Sequence, residues 1–177
     1  RSTDGQVWCW GRGVSGELGT GDRAGGNGPR AAALASPVAQ VAVGANHTCA
    51  VEVGGRTRCW GRGVEGQLGQ GKAESALSPV EVFGGFSFAM VTAGGRHTCG
   101  ITTDGLARCW GWNADGQAGN GTTVGLAAPA LVGGPGSFVD LAAGGRHTCG
   151  IDAEGRVWCW GANERGQLGV ALGVRSL

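Results

Sequence analysis

Residues 94–121 read GGRHTCGITTDGLARCWGWNADGQAGNG, and this stretch decides the fold. Its parts recur along the chain at a fixed step of 50 residues. Cys-Trp-Gly begins at Cys9, Cys59, Cys109 and Cys159, and His-Thr-Cys begins at His47, His97 and His147. Pro29, Pro79 and Pro129 keep the same step, as do Gly16, Gly66, Gly116 and Gly166. A period that never drifts means one supersecondary unit copied without insertion or deletion.

Each unit reads as β-structure. Ser87 to Ala93 is apolar enough for a buried strand, and His97 to Thr102 makes a second. Asp104-Gly105 signals a turn between the second and third strands. Leu106 to Gly111 is the third strand and Ala128 to Val132 the fourth. No stretch sustains the periodicity of a helix. Four short strands in each 50-residue repeat describe a β-propeller blade. The expected architecture is all-β, a propeller segment of about 3.5 blades. It divides into a leading half blade at 1–34, blades at 35–84 and 85–134, and a blade at 135–177 lacking its last strand.

Composition agrees with a packed β-domain. Of 177 residues, 39 are glycine, but there is no Gly-X-Y period, which excludes collagen. Hydrophobic residues make up 41%, enough for a core. The net charge of +1 gives no electrostatic case for nucleic acid, and no apolar run is long enough to insert in a membrane.

The Gly-x-x-His-Thr entry, the Asp-Gly hairpin, the Trp-Gly and the Gly-Gln-Leu-Gly-x-Gly exit together resemble the regulator-of-chromosome-condensation repeat. All three complete copies carry the set, with Ala118 where the others have leucine. The paired cysteines resemble the secreted bacterial type of the family. The resemblance implies a seven-bladed propeller about twice the length of this chain. It also implies, as one function, guanine-nucleotide exchange on a small GTPase. Ultraviolet-B-sensing members place tryptophan in Gly-Trp-Arg-His-Thr. Here Gly95-Arg96-His97-Thr98 and Gly145-Arg146-His147-Thr148 lack that tryptophan.

The ends point to a fragment or a mature product. The chain opens Arg1-Ser2-Thr3-Asp4-Gly5, with neither an initiator methionine nor a signal peptide. Gln6 to Gly11 matches a third strand without its first two, and the chain ends before the equivalent of Pro129. Open blade edges of this kind favour self-association.

Register can be counted outward from the turn. With Gly105 left-handed in a three-residue loop, Thr102 faces Leu106 and Cys99 faces Cys109. Alternation makes 99/109 a non-hydrogen-bonded pair, the closer kind, within reach of a disulfide. The same count joins Cys49 to Cys59 and Cys149 to Cys159, and leaves Cys9 unpaired. Three disulfides imply an oxidising compartment, extracellular or periplasmic. The competing reading is metal, with His97, Cys99 and Cys109 as three ligands. A structural zinc site asks for a fourth ligand and closer cysteine spacing, so the disulfide is preferred and no metal is expected.

The remaining motifs read as scaffold. Gly11 to Gly16 and Gly61 to Gly66 match Gly-x-Gly-x-x-Gly, but no helix follows to face a pyrophosphate. Asn113 and Asn163 replace the middle glycine, which suggests a loop position of positive φ. His47, His97 and His147 repeat in successive blades instead of converging on one pocket, which favours structural roles. Together with Trp10, Trp60, Trp110 and Trp160 they are expected to pack blade against blade. No nucleophile, base and orienter come together, so neither catalysis nor a cofactor is expected.

Function is sought in the variable positions. Residues 22–28, 72–78 and 122–128 align in length but differ in sequence. Arg12, Arg62, Lys72, Trp112 and Arg165 stand out as candidate binding-loop residues. The leading expectation is a secreted propeller scaffold that binds a protein partner, not nucleic acid, through these loops. The alternatives are the exchange factor, a glycan or small-molecule binder using Trp112 and arginines, and a self-assembling unit.

Overall fold

A computed structural model describes residues 1–170 of the chain. It contains thirteen described strands. A short sheet pairs β1 (Trp8–Gly11) with β2 (Gly26–Ala31). A four-stranded sheet follows in the order β3 (Val38–Val43), β4 (His47–Glu52), β5 (Thr57–Gly61), β6 (Ala76–Glu81). The next blade repeats it with β7 (Phe88–Ala93), β8 (His97–Thr102), β9 (Ala107–Gly111) and β10 (Leu126–Leu131). The last has β11 (Phe138–Ala143), β12 (His147–Asp152) and β13 (Val157–Gly161). All pairings are antiparallel. The proposed blade boundary at 177 lies outside the described residues.

The first strands of neighbouring blades touch one another, β3 with β7 and β7 with β11, which sets them side by side around the propeller axis. The Gln40 side chain of β3 binds Val91 of β7 twice: Nε2 donates to the carbonyl at 3.0 Å, and Oε1 accepts from the N–H at 2.8 Å. Backbone joins the turns above: the Ala45 N–H donates to the Gly94 carbonyl and the Gly95 N–H to the Gly144 carbonyl. A Cβ at Gly95 would sit 2.5 Å from the Gly145 carbonyl oxygen, so the inner ring is built from backbone at van der Waals distance.

Each second hairpin turns as its sequence dictates. The Thr102 N–H donates to the Leu106 carbonyl at 2.9 Å, and Gly105 has φ +85°. Counting outward places Cys99 opposite Cys109, with 49/59 and 149/159 in the same register. All three pairs are disulfide-bonded, with Cα separations of 4.0, 4.0 and 4.1 Å, and Cys9 is free.

The core is segmented by blade. The bridge 49–59 packs with Leu68, Phe88, Val91 and Trp110, and the bridge 99–109 with Ala118, Phe138, Leu141 and Trp160. Every cluster thus draws on two successive blades, and apolar burial is what holds blade to blade.

One expectation is corrected. Neither Gly13, Gly63, Asn113 nor Asn163 has positive φ. The position is set by close approach: a Cβ on Gly13 would meet the Ala24 carbonyl oxygen at 2.6 Å. Asn113 is instead the buried hub of its loop. Its Nδ2 donates to the carbonyls of Thr122 (2.9 Å) and Val124 (3.1 Å), and its Oδ1 accepts from the Ala118 N–H (2.8 Å).

Candidate functional site

The repeated tryptophans, threonines and histidines meet at the blade interfaces. After each third strand the chain forms a tight loop ending Gly-Gln-Leu-Gly, or its variant. Its Gln side chain caps the loop: Gln67 Oε1 accepts from the Glu65 N–H at 3.0 Å, and Gln117 Oε1 from the Asp115 N–H at 2.9 Å. Capping leaves the Gln main-chain carbonyl aimed at the next blade. The Gln67 carbonyl accepts from Trp110 Nε1–H (2.9 Å) and from the Thr98 hydroxyl (2.8 Å). The Gln117 carbonyl does the same for Trp160 and Thr148, and the Glu17 carbonyl for Trp60 and Thr48. Gly69, at φ +68°, gives the Trp110 indole its seat; a Cβ there would lie 2.7 Å from Nε1.

The histidines bridge forward. His47 Nε2 lies 2.8 Å from Thr98 Oγ1, and His97 Nε2 the same distance from Thr148 Oγ1. Each threonine hydroxyl already donates to a Gln carbonyl, so the ring nitrogen must be the donor. That fixes the neutral Nε2–H tautomer and leaves Nδ1 as a bare acceptor, buried without a partner on both rings. Burial pushes His47 down to about 4, against a small opposing pull from Glu65. Burial, then the neighbouring histidines, holds His97 at about 4. The ring partner is thus a threonine of the next blade. His147 is only half-buried, and no following threonine reaches it among the described residues.

Trp10 differs in exposure from its equivalents. It is 62% exposed, whereas Trp60 and Trp110 are fully buried. The reason is positional: each buried indole sits on the loop of the blade before it, and Trp10 has no such loop within the described residues. In this 177-residue chain the same residue at the same repeat position should therefore behave oppositely. Trp110→Ala is expected to cost about 3–5 kcal/mol, the range for emptying a large buried aromatic site. Trp10→Ala is expected to stay within about 0.5 kcal/mol. Urea unfolding of the two variants checks this, and equal losses would contradict the interface described here.

The loops of one end converge on a second feature. Each loop after a third strand is stitched to the turn between the first and second strands. The N–H groups of Arg62, Trp112 and Ala162 donate to the carbonyls of Asn46, Arg96 and Arg146 at 2.8–2.9 Å. Between them lies a depression of about 480 Å³ lined by Asn46, Arg96, Trp112, Asp115 and Arg146. Trp112 is 38% exposed at its edge, with the Arg96 guanidinium 5.9 Å from the ring centroid.

The charges here are ordered. Arg146 bonds Asp115 through Nε (2.9 Å) and Nη2 (2.7 Å) and also reaches Glu164 at 2.9 Å. Glu65 holds Arg62 at 2.8 Å and stands 3.9 Å from Arg96. The hydrogen bond from Arg62 holds the Glu65 carboxyl below its ordinary range. The result is a rim of alternating sign around one half-exposed indole.

Of the loop residues singled out from sequence, Trp112 lines this depression and Arg62 stands beside it. Arg12 lies in a separate groove with Trp8, Cys9 and Trp10. Lys72 is exposed farther along its loop, paired with Glu74 at 2.6 Å, and Arg165 is exposed outside the depression. Sequence reasoning missed Arg96, Arg146, Asp115 and the buried Gln67 and Gln117. The signal for the arginines was the varying residue before each histidine: Asn46, Arg96, Arg146. Among the described residues, no group of three or more His, Cys, Asp or Glu is placed to hold a metal ion.

Two family profiles described as the Regulator of chromosome condensation (RCC1) repeat match the chain. One matches residues 38–67, 91–117 and 138–167, and the other matches 4–51 and 55–101. A comparison with curated proteins found no match. Among solved structures, Prp20p from Saccharomyces cerevisiae is 24% identical at a TM-score of 0.82, covering 97% of this chain and 44% of Prp20p. Human WBSCR16 is 24% identical at 0.85, covering 98% of this chain and 46% of that one. The ectodomain of the Physcomitrella patens receptor kinase CR4 is 26% identical at 0.53, over 77% of this chain and 32% of that one. The chain thus spans less than half the length of these structures, and they share its fold. With the second profile alone taking in more than half of the chain, it belongs to the regulator of chromosome condensation (RCC1) repeat family.

Proposed function

We propose that this chain forms part of a protein-binding propeller that performs no chemistry of its own. Its binding face is the loop end bearing Trp112. The observation that carries this reading is the convergence of varying positions on one depression, over blades whose frame is constant. Trp112, Arg96, Asp115 and Arg146 stand there, while the Gln, Trp, Thr and His positions beneath are spent on joining blades. A half-exposed tryptophan ringed by charged pairs suits a partner offering an apolar group with polar flanks.

The three disulfides favour an oxidising, extracellular-side location. That location favours a scaffold over nucleotide exchange on an intracellular GTPase. Prp20p, whose structure was described with its binding to Gsp1p and histones, shows that the fold accommodates protein partners. Among the described residues no helix is long and apolar enough to cross a membrane.

The test is site-specific photo-crosslinking, with the probe at position 112 or, on the opposite end, at exposed Val53. The probe at 112 should give a discrete protein adduct with secreted or periplasmic material, and Arg96→Ala with Arg146→Ala should weaken it. Equal adducts from both ends, or none from 112, would overturn the assignment.

A further inference from the structure

Three arginines stand at the loop end that bears Trp112, and two of them are committed within the chain. Arg62 forks onto Glu65, through Nε at 3.1 Å and Nη2 at 2.8 Å. The Glu65 oxygen that accepts from Arg62 Nε accepts from Gln67 Nε2 as well, at 2.9 Å. Arg146 forks onto Asp115 and turns Nη1 to Glu164 at 2.9 Å.

Arg96 is the exception. The nearest carboxylate to it is that of Glu65, at 3.9 Å, too far for a hydrogen bond and already held by Arg62. Its side chain is 59% exposed, lines the depression and makes no hydrogen bond among the described residues. The N–H donors of its guanidinium are therefore open to a partner. Arg96 and Trp112 both belong to the blade of β7–β10, with a described blade on either side, so their exposure is that of an interior repeat.

Two observations indicate what that partner offers. The Arg96 guanidinium lies 5.9 Å from the centre of the Trp112 ring, and Trp112 is 38% exposed. A free anion would answer the charge and leave the indole wet. A peptide that sets an apolar side chain beside a carboxylate answers both at once. In addition, Glu65 and Asp115 place fixed negative charge on the same rim. They oppose a doubly charged phosphate more than a single carboxylate, whose two oxygens match the guanidinium fork.

Taking this loop end as the binding face, we infer that it selects an acidic segment of the partner protein. Arg96 receives an Asp or Glu carboxylate, and Trp112 receives the apolar side chain next to it. Arg62 and Arg146 keep their own carboxylates and hold the rim in shape.

Selection of random peptides displayed on phage against the native chain, with counter-selection on Trp112→Ala, tests this. Peptides that need Trp112 should carry Asp or Glu beside an aromatic or large aliphatic residue. Replacing that acid by Asn or Gln should weaken binding by about tenfold or more, the scale of a charged hydrogen bond. On Arg96→Ala the same replacement should change nothing, since the partner of the acid is already gone. On Arg96→Glu, selection should return Lys or Arg at that place. Both variants should keep the fold, because the side chain is exposed and the main-chain carbonyl of residue 96 still accepts from the Trp112 N–H. Peptides that need Trp112 but show no acid, or that keep their acid on Arg96→Glu, would overturn the inference and leave the binding face standing. Counter-selection that removes every binder would overturn both.

Discussion

Reducing the three disulfides is expected to remove about 8 kcal/mol from the stability of the chain. Each bridge closes a loop of sequence separation 10, and cross-linking so short a loop withdraws just under about 3 kcal/mol of disorder from the unfolded state. The bridges lie in separate blades, so their contributions should add to a first approximation. Domains of this kind have about 5–15 kcal/mol in all, so reduction should bring the chain near or past unfolding. Urea titrations with and without reductant, alongside thiol counting, provide the check. One reactive thiol before reduction and seven after, with a large fall in midpoint, is the expected result. Coincident titration curves would show that the bridges contribute nothing.

Acidification should be the second large effect. His47 and His97 are held neutral at about 4, below the ordinary 6.5 of the unfolded chain. Between those values the unfolded state binds protons that the folded state refuses, so stability falls as pH falls. The contribution is fully present above about pH 6.5 and is lost toward pH 4. The gap is worth about 3 kcal/mol per ring, or about 6 kcal/mol for both by pH 4, of which about 4 kcal/mol is gone by pH 5. The interval from pH 7.5 to 5 is the informative one, because ordinary carboxylates stay ionised across it. Urea midpoints over this interval should drop steeply, and His47→Gln with His97→Gln should flatten the slope. A flat profile for the native chain would mean that the rings are not buried as described.

Much of the frame was legible because the repeat carries no insertions. Strand order, hairpin register and the opposition of Cys99 to Cys109 all follow from counting outward from one Asp-Gly turn. What counting cannot show is what a side chain touches outside its own blade. The roles of Gln67 and Gln117 were invisible because they act through a main-chain carbonyl, which every residue has. Trp10 looked identical to Trp110 because a repeat position states what a residue can do, and its neighbour decides whether it does it. Asn113 was read as a conformational substitute for glycine, yet it works through its amide, bonding a loop whose length the repeat holds constant. The shared end of the Trp112 and Arg96 loops needed the hydrogen bond between them to be seen.

The indole, imidazole and hydroxyl contacts between blades join only immediate neighbours, and this has a thermodynamic consequence. Among the described blades, stability is a sum of unit terms and nearest-neighbour coupling terms. The blade of β7–β10 is coupled to a described blade on either side. A defect at one interface should therefore lower amide protection in the two blades that share it more than in the blades beyond.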